Sequence, residues 1–175
     1  MYIEEKLHVA SVSGTDALYA MRYNAYYDEM EYEKKGVFYN LPKVFNYTVH
    51  FESLNKTYKI YSYPLIGKEE KGFFVLLYSG EKISLLNKEI VKFHEEVKAK
   101  SGYDKYIPPK LKRAKDKIYI TSNKDAAKPL PKKKKEILAL FSNKSKDVEK
   151  YAKSNGLGFK KTNDLIALFT YYNGL

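Results

Sequence analysis

The 175-residue sequence contains no cysteine and no tryptophan. Without cysteine there are no disulfides, no thiolate metal sites and no cysteine nucleophile, while the redox compartment stays open. No apolar stretch approaches the roughly 20 residues that a membrane-spanning helix needs. Arginine is scarce: of 32 basic residues only Arg22 and Arg113 are arginine. Base-specific readout and tight phosphate forks lean on arginine, so a surface built from lysine suits looser attraction to anions. No Gly-x-Ser-x-Gly, His-Glu-x-x-His or phosphate-loop Gly-Lys-Ser/Thr pattern occurs, and no internal repeat. The opening residues MYIEEKLHVAS lack a basic segment followed by an apolar one, so no signal peptide is expected within this stretch.

Aromatic and charged residues are plentiful. The 18 tyrosines and 9 phenylalanines favour strands, where one ring face packs and a hydroxyl reaches water. A hydrophobic content of 44% argues for a packed domain rather than a disordered chain. The formal net charge is +11, and its placement is uneven. From Pro108 onward there are 17 basic and 6 acidic residues, whereas residues 1–107 hold 15 of each. Such asymmetry can mark a surface that meets phosphate, anionic lipid or an acidic partner.

The chain is organised around Phe73–Phe93. Phe73 to Tyr78 is an unbroken apolar run flanked by Gly72 and Gly80, too short for an ordinary helix, and it reads as a strand buried on both faces. Ser79-Gly80 breaks it, and Lys82–Leu86 reads as the returning strand. Upstream, residues 1–17 are weakly patterned. Leu18–Tyr27 reads as a tyrosine-rich strand. Asp28–Lys34 alternates, with Met30 and Tyr32 on one face and Glu29, Glu31 and Glu33 on the other. Lys35-Gly36 turns the chain into Val37–Leu41. Val44–Glu52 alternates again, with Phe45, Tyr47, Val49 and Phe51 on one side and Asn46, Thr48 and His50 on the other. A turn at Ser53–Lys56 leads to Thr57–Leu65, with Pro64 near its end. Lys68–Lys71 reads as a charged turn, and Glu89–Val97 as a strand by the alternation of Val91, Phe93 and Val97, although Ile90, Phe93, His94 and Val97 also suit a helix. Ser101–Lys117 reads as a linker or long loop through Pro108-Pro109, Lys117–Thr121 as a strand, and Asn123-Lys124-Asp125 as a turn.

At Pro131 the period changes. Ile137, Leu138, Leu140 and Phe141 form a helical stripe, with Pro131 placed at the start. A second helix spans about Ser145–Ser154, with Val148, Tyr151 and Ala152 on its apolar side and Asn155-Gly156 as its stop. A third begins with Thr162 as N-cap and Asp164 in its first turn. Leu165, Ile166, Leu168, Phe169 and Tyr172 form its buried face, and Asn173-Gly174 its end. Strands first and helices last predict an α+β fold. The expected body is an antiparallel β meander, barrel- or sandwich-like, over residues 1–122. A basic three-helix segment, 123–175, is expected to pack on it.

Several constellations bear on chemistry. His8, His50 and His94 stand at no ligand spacing, so neither a metal site nor a cofactor is expected. Gly156-Leu157-Gly158 lacks the third glycine of a dinucleotide loop and reads as a turn between helices. Asp28, Glu29, Glu31 and Glu33 could supply a glycosidase-like carboxylate pair, since neighbours on one strand face lie roughly 7 Å apart. Their plainer reading is a solvated acidic face, and no enzyme is expected. Tyr19, Tyr23, Tyr27, Tyr47, Tyr58 and Tyr61 could line the cavity of a closed barrel that carries a small molecule; ordinary packing is the plainer account. The candidate binding residues are Lys132, Lys133, Lys134 and Lys135, with Lys112, Arg113 and Lys115. The run at 132–135 begins a helix, where the dipole disfavours cations and an anionic partner would relieve the mismatch. Three helices invite a helix-turn-helix comparison, but the shortage of arginine and the lack of a polar base-reading face on the third make nucleic acid an unfavoured partner.

Two runs carry a resemblance. RYNAYYDEMEY, Arg22 to Tyr32, and the tail from Leu130-Pro131-Lys132 to Tyr171-Tyr172-Asn173 resemble a group of uncharacterised secreted or periplasmic proteins from Bacteroidota. The resemblance covers most of the chain from about Leu18 onward. It implies a β-rich body, a lysine-rich helical tail, a cell-envelope address and a cleaved leader outside this sequence. It implies no activity and no functional residues. Together these readings predict a non-enzymatic envelope module that meets an anionic surface or another envelope protein through its basic C-terminal face.

Overall fold

The computed structural model describes residues 2–45, 47–99, 105–122 and 126–175. In chain order its strands are β1 (His8–Val12), β2 (Leu18–Asn24), β3 (Glu29–Lys34), β4 (Val37–Asn40), β5 (Thr48–Phe51), β6 (Lys56–Leu65), β7 (Lys68–Tyr78), β8 (Ser84–Lys88), β9 (Val91–His94), β10 (Lys110–Arg113), β11 (Lys117–Thr121) and β12 (Lys128–Pro129). The helices α1 (Lys134–Ala139), α2 (Ser145–Ser154) and α3 (Thr162–Gly174) follow. The expected α+β architecture is present: a mostly antiparallel sheet with three C-terminal helices packed on it. The sheet is not closed, so the body is no barrel. The chain divides into two compact units, Met1–Ile60 with Lys88–Lys117 and Tyr61–Asn87 with Ile118–Leu175. This division differs from the one expected at 122/123, because the helices share a unit with β7 and β8.

In the first unit the strand order is β6-β5-β1-β2-β3-β4, with β6 contributing its first half, and β9 and β10 form a separate antiparallel ribbon. The acidic alternation of β3 comes out as read. Met30 is fully buried and pairs with Tyr23, while Arg22 pairs with Glu31 on the opposite face. Lys35 and Gly36 both have positive φ (53° and 77°), which is the backbone of a tight hairpin turn. β2 is shorter than expected. Asn24 accepts the N–H groups of Tyr26 and Tyr27 on Oδ1 at 3.2 and 3.3 Å, folding the chain into a turn before Asp28. β5 is also shorter than Val44–Glu52, because Val44 and the Tyr47 hydroxyl both donate to the Pro42 carbonyl and hold that segment in a turn. Asn46 lies outside the described residues. Val49 and Phe51 are buried as read, whereas Phe45 is exposed. Strand β1 came from the weakly patterned start. β10 came from the expected linker, where cations crowd out any apolar alternation; residues 101–104 of that linker lie outside the described set.

In the second unit the order is β6-β7-β8-β11-β12, with β6 contributing its second half. β7 is buried on both faces around Phe73–Val75, as its unbroken apolar run requires. One face packs Ile83, Leu85 and Ile120 against Ile137, Phe141, Val148, Leu165, Leu168 and Phe169 of the helical segment. The other gathers Tyr63, Phe74, Leu86, Tyr119 and Ala127. Adjacent Leu85 and Leu86 therefore serve opposite clusters, as the pleat dictates. Lys68–Lys71 is strand rather than turn, because the turn sits at Ile66-Gly67, both at positive φ. α1 starts at Lys134 rather than Pro131, since Lys128–Pro129 pairs with β11 and the Leu130 N–H donates to the Ile118 carbonyl, keeping the chain extended. α2 spans the expected residues. In α3 Thr162 lies inside the helix and Lys161 is the cap, while Asp164 accepts the Gly158 N–H at 2.9 Å instead. The turn read at Asn123–Asp125 lies outside the described residues.

Candidate functional site

The basic residues picked from the sequence fall in both units. Lys132, Lys133, Lys134 and Lys135 are all exposed; the first two precede α1 and the last two begin it. Lys134 pairs with Glu149 at 2.7 Å, and its ammonium lies 5.4 Å from the centre of the Phe159 ring. The hydrogen bond from Lys134, together with its charge, lowers the Glu149 carboxyl from its ordinary value. Lys133 reaches Glu136 at 3.6 Å. Among the described residues, Lys132, Lys135, Lys146, Lys150, Lys160 and Lys161 have no carboxylate within 4.0 Å. In the first unit Lys112 and Lys115 are exposed, but Arg113 is committed. Its Nη2 donates to Glu89 at 3.3 Å and to Asp116 at 2.9 Å.

That arginine belongs to a buried polar cluster that periodicity does not reveal. Lys88 ends β8 and Glu89 follows it, and both are buried (7% and 4% exposed). Glu89 accepts from Lys56 at 3.0 Å and from Arg113 on Oε1, and from the Tyr58 hydroxyl on Oε2. Asp28 accepts from the Tyr23 hydroxyl at 2.6 Å and Lys88 Nζ at 2.7 Å on Oδ1, while Lys43 approaches Oδ2 at 3.5 Å. The Tyr23 and Tyr58 rings meet at 5.0 Å between centroids, so the two carboxylate nests adjoin through a tyrosine pair. Burial, reinforced by the Asp28 charge, pushes the Tyr23 phenol well above its ordinary value; burial with Glu89 does the same to Tyr58. Burial lowers Lys88, and Asp28 opposes that shift. Both phenols therefore stay protonated and donate. All four carboxylate oxygens of Asp28 and Glu89 are engaged, which fits a structural clamp better than an acid or base awaiting a substrate. The cavity beside Tyr23 and Tyr58 measures about 10 Å³, room for about one water.

The other sequence candidates are placed apart. Glu31 pairs with Arg22 at 3.1 Å, and Glu33 accepts the Gly36 N–H at 2.7 Å. Of the six tyrosines considered as a lining, Tyr23 and Tyr58 are core, Tyr27 is exposed and Tyr61 packs on Phe74. Tyr19 meets Tyr32 edge-on, and Tyr47 caps the Pro42 carbonyl. His8 hydrogen-bonds Ser53 and His50 hydrogen-bonds Thr57. Among the described residues, no three His, Asp or Glu side chains are placed to hold a metal ion. No helix among them is long and apolar enough to cross a membrane. The one sequence signal for the buried cluster was the charged pair Lys88-Glu89 set between apolar Leu86 and Val91. Comparison with protein families, curated proteins and solved structures gives no match.

Proposed function

We propose that this protein is a non-enzymatic interaction module whose lysine-rich C-terminal segment holds an anionic surface, at a cell-envelope address. The observation that carries this reading is the set of exposed lysines without acidic partners, Lys132, Lys135, Lys146, Lys150, Lys160 and Lys161. A segment with that much uncompensated positive charge gains free energy when anions replace its screening salt. Lysine, a mobile and strongly hydrated point charge, suits diffuse anionic surfaces such as phospholipid headgroups more than fixed bidentate sites. The lysines are solvated and outside the core, so removing their charge leaves the packing intact.

The test is co-sedimentation with vesicles containing phosphatidylglycerol, using the wild-type chain and a variant with Lys132–Lys135 changed to glutamine. The variant should fold normally and bind more weakly than the wild type, and added salt should weaken both. Equal binding by both proteins would sink the reading. Tighter retention on duplex DNA than on vesicles would favour nucleic acid instead.

A further inference from the structure

Strand β4 ends the sheet of the first unit, and among the described residues nothing pairs with its outer side. Sheet edges are ordinarily blunted by shortness, proline or charge. The edge at β12 follows that rule, being two residues long and ending in Pro129. β4 reads Val-Phe-Tyr-Asn and carries no charge. All four residues are exposed, Val37 by 51%, Phe38 by 50% and Tyr39 by 46%.

The hairpin geometry says which backbone groups are offered. Lys34 pairs with Val37 across the two-residue turn, and Tyr32 pairs with Tyr39. In such a hairpin these pairs exchange the backbone hydrogen bonds, and the Leu41 N–H continues the pattern to the Met30 carbonyl at 2.9 Å. Phe38 and Asn40 therefore aim their N–H and C=O groups outward. Above them, Tyr39 stacks on Tyr32 at 5.5 Å, and Tyr32 meets Tyr19 edge-on at 5.6 Å, so a tyrosine ladder runs to the edge and stops there.

We propose that β4 is a self-docking edge, at which two copies of this chain join antiparallel about a two-fold axis through Tyr39. Phe38 of each copy then exchanges both backbone hydrogen bonds with Asn40 of the other. Tyr39 faces its own symmetry mate in a non-hydrogen-bonded pair, the closer of the two antiparallel pair types. The tyrosine ladder continues across the axis. Pro42, lacking an N–H, ends the pairing on each side. Two features select a second copy over a foreign strand. The ladder of Tyr19, Tyr32 and Tyr39 ends on an open ring, and the two-fold that lets Phe38 and Asn40 exchange places sets a second Tyr39 directly against it. The charge next to the edge is also balanced: residues 18–45, which form β2 to β4 and their turns, hold four basic and four acidic residues. Lys35 comes opposite Lys43 of the second copy, where Asp28, shared with Lys88, lies 3.5 Å from Lys43. One short strand and a few aromatic rings make a small interface, so the dimer is weak and concentration-dependent.

Sedimentation velocity on the full chain, from ~10 µM to ~1 mM, tests this. The mass should rise toward twice the monomer, with little effect of salt. Asn40→Pro removes one outward N–H, and Phe38→Lys places a charge on the edge; each should hold the chain monomeric throughout. Phe38→Lys leaves the backbone unchanged and gives the readout should Asn40→Pro misfold. A wild-type chain that is monomeric at every concentration would overturn the proposal, as would a dimer that survives Phe38→Lys. Mass and weak salt dependence separate this outcome from vesicle binding, which salt weakens.

Discussion

Asn173, in the last turn of α3, lies directly against Gly80 in the turn that joins β7 to β8. A methyl group on Gly80 would come within 2.4 Å of the Asn173 side chain. The contact is close because Asn173 closes that turn. Its Oδ1 accepts the N–H groups of Lys82 and Ile83 at 2.9 and 3.3 Å, and its Nδ2 donates to the carbonyls of Ile83 and Phe169 at 3.0 and 2.8 Å. One side chain thus satisfies backbone groups roughly 90 residues away along the chain as well as one in its own helix.

Asn173→Ala should cost about 2–3 kcal/mol in urea unfolding, since four hydrogen bonds go and partly buried backbone groups lose their partner. Gly80→Ala should cost a similar amount by pushing the same side chain off its partners. Because both act through one contact, the double variant should cost much less than the sum. Additive losses would show that the contact is not shared.

Stability should fall as pH rises past about 10. The unfolded chain releases its phenolic protons near the ordinary tyrosine value of 10.0, while buried Tyr23 and Tyr58 keep theirs. Above that pH the native state binds more protons, so the contribution present below it is progressively lost. Lys88 works the other way. Its lowered value makes the unfolded chain bind more protons just below 10.5, adding stability on the approach to that pH. Thermal melts across alkaline pH should show the decline, and Tyr58→Phe should flatten it while costing about 1–3 kcal/mol at neutral pH. An unchanged alkaline limb in that variant would contradict the assignment.

Glu89→Gln should cost about 3 kcal/mol, because it strips the counter-charge from Lys56 and Arg113 inside a cluster arranged around it. Glu33→Gln, on the more exposed acidic face, should change stability by less than about 0.5 kcal/mol. Urea denaturation of both variants checks the contrast; equal effects would mean the cluster contributes little.

Ile66→Asn should stabilise the protein by about 1 kcal/mol, because the turn before Gly67 places a β-branched residue in the left-handed region. Ile66 has φ of 48° and is 96% exposed, so no packing is lost on replacement. A lower melting temperature would indicate that the isoleucine makes a contribution beyond its backbone.

Much of this architecture is local and was legible for that reason. The alternation of β3, the unbroken apolar run of β7 and the 3.6-residue stripe of α2 are each written in adjacent residues, and side-chain periodicity converts directly into a buried face. Strand ends were less legible. Asn24 folds its own side chain over the next residues, and Ile66 turns the chain without a turn former's chemistry, so neither boundary shows as a break in hydrophobic pattern. The basic segment was legible as charge, but which of its lysines lack a carboxylate depended on where Glu136, Asp147 and Glu149 came to lie.

By itself, then, the sequence determined the α+β class, the helical end and the excess of positive charge, since each follows from composition or spacing over a few residues. Only the tertiary structure decided that the sheet stays open, that Lys88 and Glu89 turn inward to Asp28, Tyr58 and Lys56, and that Asn173 closes a turn far back in the chain. Those outcomes depend on which distant groups arrive at one place to replace lost water, and no local pattern records that.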